Sequence, residues 1–472
     1  MLKANINKLT VWAGASAAAL LILVSSAFAQ AEKFDPYLVR AMSKTDVPLA
    51  VMVVMNPIMP AAKSYWDEPS PAEVEYNRKK QTLEVQWELR HFVNEWIGTE
   101  DFAGDPAIKD YMFLWTANTM VGTISQSLLW QMAQMDSVTS IVLDRKIRVG
   151  ILADEEEPVM GMDEYSYGLE KIGIPELRTA HPDLLGTDVV VGILDTGMDA
   201  SHPELQNKVV AWKDFVDGKE LPYDGNGHGT HVAGTITGDG VTGTQIGIAP
   251  RAKLVIGKIL SDQGYSQLSW ILRGMEWVAN PERKLESNLR PRVVNNSWGG
   301  SMEADLRKNP FAQAVVAWNE LQIFPSFAAG NSGPGESTVG TPGNLPMSFA
   351  VAATDENDDA ASFSSRGPVE VTDAEGNQES IVKPDIAAPG VKILSSVPGG
   401  KYARFSGTSM ATPHVTGAIA LLYQVNPALK IEDVIKVLTE TADDLGDRGK
   451  DNTYGYGRIN MPNAVEKLLS IY

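Results

Sequence analysis

Four side chains spaced along this 472-residue chain, Asp195, His228, Asn331 and Ser409, could together run one reaction. A serine hydroxyl is a poor nucleophile at neutral pH. It needs a base within hydrogen-bond reach, and that base needs an orienting partner. Asp195 closes an apolar run, residues 189–194, and Thr196-Gly197 lets the backbone turn at once. A carboxylate left there can accept a bond from one imidazole nitrogen and fix its tautomer. Asp-Thr-Gly is also an aspartic-protease signature, but such a site faces two aspartates. The chain has no second copy, so only a homodimer would supply it. His228 lies in Gly225-Asn226-Gly227-His228-Gly229-Thr230-His231. With His231 it could form a metal pair, although zinc pairs on a helix favour i,i+4 spacing and these stand at i,i+3. Ser409 follows Gly407-Thr408 at the expected head of a helix, where its own N–H meets a developing oxyanion. Serine also caps helices with no chemistry implied. Asn331, after Ala328-Ala329-Gly330, could donate an amide to the same oxyanion, and read alone is a turn residue.

Taken together and in that chain order, GILDTG around Asp195, GNGHGTHVAGT around His228, AAGN ending at Asn331 and SGTSMATPHV around Ser409 resemble the subtilisin family of serine endopeptidases. The resemblance spans about residues 167–460. It implies Ser409 as nucleophile, His228 as base, Asp195 as its orienting acid and Asn331 as an oxyanion donor, with His231 a packing residue. It further implies that Gly264-Tyr265-Ser266 and Ser297-Trp298-Gly299 pair with an extended polypeptide substrate. Leu268 stands where the family often places a larger aromatic, at an outer apolar pocket. Ala328, Ala329, Gly330 and Gly340 resemble the primary specificity pocket, with the preferred side chain left open. No redox or organic cofactor is implied. A structural calcium ion is an open expectation: Glu204 falls where a family calcium carboxylate occurs, but Val241 replaces an expected side-chain amide. Asp355 is either a weaker cation ligand or part of a solvated acidic turn.

The elements that must position these groups alternate in type. Apolar strands are expected at residues 188–194, 253–259, 293–297, 323–328 and 349–353. Helices are expected at 230–237, 268–280, 310–321, 409–426 and 431–441. Near-continuous apolar strands alternating with helices predict an α/β, doubly wound, mostly parallel sheet of subtilisin-like type, with active residues at strand ends. Upstream, residues 46–148 read as βαββαβ, including one long helix over 71–97. That pattern predicts a small α+β, ferredoxin-like domain. By position it resembles the inhibitory prodomain of subtilisins, which would make it an intramolecular inhibitor and folding aid. An unrelated binding domain is the alternative.

Residues 1–29 have Lys3 and Lys8, an apolar run over 11–24 and Ala27-Phe28-Ala29, the pattern of a secretory signal cut after Ala29. Export to the periplasm or exterior is therefore expected, with a mature form not embedded in a membrane; an uncleaved membrane anchor is the alternative, for which the run is short. Residues 30–157 would be propeptide and 158–472 the peptidase domain. Between them, Leu152-Ala153-Asp154-Glu155-Glu156-Glu157-Pro158 has no periodicity and a dense acidic run, and reads as a solvated, flexible linker suited to self-cleavage between residues 150 and 163. Lys+Arg 40 against Asp+Glu 59 gives a net charge of −19, which argues against a nucleic-acid partner. Mean hydropathy of −0.12 fits an ordinary globular chain. With no cysteine, disulfides, thiolate metal sites and thiol nucleophiles are excluded.

Overall fold

The computed structural model describes residues 31–58, 69–101, 104–148, 152–156, 164–284, 287–302 and 304–471. The expected signal segment and most of the expected junction lie outside them. The chain divides into two compact units, one up to Met59 plus Lys79–Arg145, the other Pro60–Arg78 plus Lys146–Tyr472.

The first unit carries β1 (Leu49–Met55), β2 (Ile108–Leu114), β3 (Thr119–Ile124) and β4 (Val138–Leu143) in one sheet of order β2-β3-β1-β4. Each pairing is antiparallel. Helix Gln126–Met132 links β3 to β4. The expected long helix is two, Pro71–Val85 and Trp87–Trp96, interrupted only at Gln86, where ψ opens to −2°. The buried Gln86 amide leaves the helical surface to donate to Leu114 O and Asn118 Oδ1, each at 3.1 Å. Alternation along β1 sends Val51, Val53 and Met55 into a core with Leu89, Val93 and Ile141.

In the second unit come β5 (Lys146–Arg148), β6 (Leu152–Glu156), β7 (Val190–Asp195), β8 (Val209–Asp214), β9 (Lys253–Lys258), β10 (Tyr265–Gln267), β11 (Val293–Asn296), β12 (Ala304–Asp305), β13 (Phe324–Ala328), β14 (Phe349–Thr354), β15 (Val369–Thr372), β16 (Gln378–Ile381), β17 (Ile386–Pro389), β18 (Ile393–Val397) and β19 (Lys401–Ser406). Seven of them form one sheet of order β17-β14-β13-β11-β7-β9-β8. Every pairing in it is parallel. From β7 the chain winds first to the edge strand β8 and back to β9 on one side, then crosses to β11, β13, β14 and β17 on the other, so the sheet is doubly wound and its switch point lies beside β7, where such sheets bind ligands. Strands β7, β11, β13 and β14 are buried almost throughout, as parallel strands covered on both faces must be.

Helix Thr408–Val425 is buried from Thr408 to Tyr423, which explains its run of small and apolar residues on every face. Helix His228–Thr237 is likewise buried along its length. Beside it, β18 and β19 form an antiparallel hairpin whose outer neighbour is β6. Sequence periodicity missed β8, β17 and this hairpin. Leu152–Glu156, expected as a solvated linker, is instead a strand on β19. A dense acidic run has no favourable sheet propensity of its own, and the partner strand supplies the pairing.

Candidate active site

Asp195 is the last residue of β7 and is fully buried. Its Oδ1 accepts the Thr196 N–H at 2.7 Å and lies 2.7 Å from His228 Nδ1. The ring nitrogen facing the carboxylate is thereby the protonated one, and the lone pair is left on Nε2. Buried His228 Nε2 has no partner among the described residues. Burial alone would lower the His228 pKa, but the charge and hydrogen bond of Asp195, helped by Asp224, outweigh it and raise the pKa above its ordinary value.

His228 opens its helix because Asp224 gathers the loose donors of the preceding turn. Asp224 Oδ1 accepts from Thr196 Oγ1, Asn226 N and Gly227 N, and Oδ2 from the Thr230 amide and hydroxyl, all within 3.0 Å. Thr196 Oγ1 in turn accepts the Gly229 N–H at 2.9 Å, tying the helix to the residue after Asp195. A Cβ on Gly229 would stand 2.1 Å from Gly197 O, so glycine alone allows this approach of helix to strand end. No sequence pattern marks Asp224, although it directly precedes the glycine-rich run.

His231 is a different kind of histidine. Its Nε2 lies 2.9 Å from Ile393 O and its ring stacks on Phe405 at 4.4 Å. Burial pushes its pKa down to about 3, so it is a neutral side chain that pins the β18–β19 hairpin to the helix. That matches a packing role rather than metal ligation.

Ser409 lies in the first turn of its helix, where N–H groups lack an internal acceptor. Its hydroxyl donates to Ser297 O at 3.0 Å, and Ser297 Oγ donates back to Ser409 O at 2.8 Å. Asn295 Nδ2 donates to Ser297 Oγ at 2.9 Å, and Asn295 Oδ1 accepts from Thr416 Oγ1 at 3.0 Å. This buried relay from β11 to the helix was not legible as a motif. Asn331 Oδ1 accepts from Thr408 N at 2.9 Å and Thr408 Oγ1 at 3.0 Å. With the oxygen end held, Nδ2 is the donor end. It lies close to Gly407, where an added Cβ would meet it at 3.3 Å.

Of the expected substrate segments, Ser297 touches Ser409, and Gly330 N donates to Thr408 Oγ1 at 3.1 Å. Gly264 has φ +74°, Ser266, Leu268 and Trp298 are buried, and Tyr265 is exposed. A Cβ on Gly299 would meet Thr341 O at 3.2 Å. Ala328 ends β13, Ala329 O accepts the Gly340 N–H at 2.9 Å, and Gly330 has φ +112°. Strand β10 is already paired: Tyr265, Ser266 and Gln267 stand opposite Arg148, Ile147 and Lys146 of β5. Ile147 is buried, its side chain near Gly300.

The calcium expectation meets a different arrangement. Fully buried Glu204 accepts from Gly240 N at 2.6 Å, Val241 N at 3.1 Å and Tyr402 Oη at 2.7 Å. Both oxygens are satisfied by protein donors, two of them amides that would repel a cation. Asp355 Oδ1 accepts the Asn357 and Asp359 N–H groups, closing its own turn. Among the described residues no group of three or more His, Cys, Asp or Glu side chains could hold a metal ion. The Glu204 donor set, filled by protein N–H and O–H groups, does not fit calcium.

A carboxylate-oriented histidine at the switch point of a doubly wound sheet, with a serine at the head of a buried helix, is the frame of a serine peptidase. The subtilase family profile matches residues 186–457, more than half of the chain, and the chain belongs to that family. It is 38% identical over 339 residues to bacillopeptidase F of Bacillus subtilis, covering 66% of this chain and only 22% of that relative. It is 37% identical over 303 residues to subtilisin E of Bacillus subtilis, covering 64% of this chain and 71% of the relative. An equal match to subtilisin of Bacillus pumilus covers 98% of that protein. The enzyme is a subtilisin-like serine peptidase.

Proposed function

We propose that this chain is the precursor of an exported endopeptidase that cuts itself and then polypeptide substrates through Asp195, His228 and Ser409. In this reading the Ser409 hydroxyl leaves Ser297 O and turns to the unpartnered Nε2 of His228 for attack. An Oγ–C bond forms at the peptide carbonyl as the Oγ proton passes to Nε2. Asp195 holds the imidazolium that results. Asn331 Nδ2 and the Ser409 N–H receive the oxyanion. Its collapse breaks the C–N bond, the Nε2 proton leaves with the amine, and water repeats the sequence on the acyl-enzyme. The buried Asp195–His228 contact at 2.7 Å carries this reading.

Self-processing is supported by two strand pairings made by one stretch of chain. Residues 146–148 add to β10, and residues 152–156 add to β19, which leads into the Ser409 helix. Peptide recognition by strand addition uses the same main-chain bonds. The bond cut in this reading lies between Arg148 and Leu152, upstream of the 157/158 boundary that composition suggested. The βαββαβ unit before it, with sheet order β2-β3-β1-β4, fits the role of a prodomain that blocks the cleft until release. Among the described residues no helix is long and apolar enough to cross a membrane. The signal-like residues 1–29 support export. Full-length Ser409→Ala, purified away from other proteases, should accumulate as uncut precursor without activity on unfolded protein. Normal trimming of that variant would overturn the self-processing claim.

A further inference from the structure

We propose that the Lys258–Asp262 ion pair is a positioning device that ties strand β10 to the turns carrying Asp195 and His228. The inference rests on the reading of Ser409 as nucleophile and of β10 as the strand that substrates extend, and it adds two residues to that reading.

Lys258 ends β9 in register with Asp195 at the end of β7. The residues after it hold the backbone of the acid: Ile259 N and Leu260 N donate to Asp195 O at 2.9 and 3.1 Å. Lys258 is fully buried, and its Nζ donates to Thr196 O at 2.5 Å and to Asp262 Oδ1 at 2.8 Å. The same Nζ lies 4.8 Å from the centre of the Tyr223 ring. A buried ammonium is tolerated only when it is paired and hydrogen-bonded, and Asp262 supplies the opposite charge. Lys258 faces a carbonyl and a carboxylate rather than a reacting group, so its part is geometric.

Asp262 joins three segments. Its carboxylate holds Lys258, and its carbonyl accepts Asn226 Nδ2 at 2.9 Å. It also lies against Gly225, where an added Cβ would stand 2.3 Å from Asp262 Cγ. Asn226 Oδ1 accepts the His228 N–H at 3.3 Å, so the tie reaches the head of the His228 helix. Toward β10 the chain closes a tight turn: Ser261 N donates to Tyr265 O at 2.7 Å and Gly264 N to Ser261 O at 2.9 Å. Strand β10 starts at Tyr265, directly after this turn. A polypeptide added to β10 is therefore placed by the same pair that places the acid and the base. A misplacement of about 1 Å in such a frame can cost about 10²-fold in rate.

The test uses enzyme obtained by expressing the full chain, with active sites counted by a phosphonylating reagent. One substrate is an internally quenched peptide with several residues before the cut, long enough to pair with β10. The other is an N-acetyl amino-acid ester, too short to reach it. The Asp262 side chain is 32% exposed, so its variants should fold. In Asp262→Ala, kcat/KM on the peptide should fall about 10-fold more than on the ester, with KM carrying most of the difference. Asp262→Asn keeps an oxygen for Lys258 Nζ and should recover most of that loss. Beside Lys258→Met, which removes the partner, Asp262→Ala should cost the peptide only about 2-fold further. Should Lys258→Met fail to fold, the two Asp262 variants decide alone. A general loss of structure would lower both substrates together and vanish once active sites are counted. Equal loss on the two substrates, no recovery with Asp262→Asn, or an undiminished effect beside Lys258→Met overturns the proposal. Ester hydrolysis by wild type but not by Ser409→Ala checks the nucleophile separately, whatever the ratio shows.

Discussion

Pro413 cannot donate a backbone N–H to Ser409 O four residues earlier, and Ser297 Oγ supplies that bond instead at 2.8 Å. A proline inside the helix thus frees the carbonyl of the nucleophile's own residue, and the neighbouring strand claims it. Ser297→Ala should leave this buried carbonyl unsatisfied and cost about 1–3 kcal/mol of stability. Pro413→Ala restores a donor within the helix. The double variant should therefore be less destabilised than the sum of the singles, by at least about 0.5 kcal/mol in a denaturation cycle. Strict additivity would separate the two residues.

Asn331→Ala should lower kcat with little change in KM, because the lost bond forms mainly in the transition state. The size, about 10²–10³, is taken from a measured subtilisin, a relative of this chain, rather than derived from the distances here. Steady kcat with a raised KM would make Asn331 a substrate-binding or turn residue.

The raised His228 pKa sets the acid side of the pH profile. Protonated His228 cannot accept the Ser409 proton, so kcat/KM should fall as pH drops through a value above 6.5, the ordinary imidazole figure. Stability moves the other way. A histidine whose pKa is raised by folding adds stability that is complete below its unfolded value and fades as pH rises through the folded one. Asp195→Asn removes the raising charge and should shift the activity limb downward while kcat collapses. An acid limb below 6.5 in the wild type would contradict this account of the pair.

Glu204 should act as a clamp made of protein donors. Chelation should leave Tm unchanged, whereas Tyr402→Phe, which removes a hydroxyl from a buried carboxylate, should cost about 1–3 kcal/mol. A fall in Tm with chelator that calcium restores would reinstate the metal at this position.

How much of this was legible in the sequence follows the range of each interaction. Asp195, His228, Asn331 and Ser409 announce themselves because their backbones need glycine and small residues next to them, so each carries a local signature. The five strands expected in the main sheet are there because burial on both faces leaves a plain apolar run. Strand β17 was missed: Ile-Ala-Ala-Pro is short, weakly apolar and ends in proline. Asp224, Asn295 and Thr416 act across distances that no local pattern encodes. Pro413 inside an expected helix was a signal that a donor was missing, but not which residue replaced it. Leu152–Glu156 looked unstructured since its order comes wholly from β19. Val241 gave the one hint about Glu204, whose carboxylate accepts from the loop amides directly.

The most direct test of the central claim is covalent. A phosphonylating reagent should be incubated with active enzyme until hydrolysis of unfolded protein stops, and the modified peptide then mapped by mass spectrometry. The account predicts one equivalent of reagent on Ser409 Oγ, with label and activity loss advancing together. Complete inactivation with Ser409 unmodified, or full labelling of Ser409 with activity retained, would contradict it.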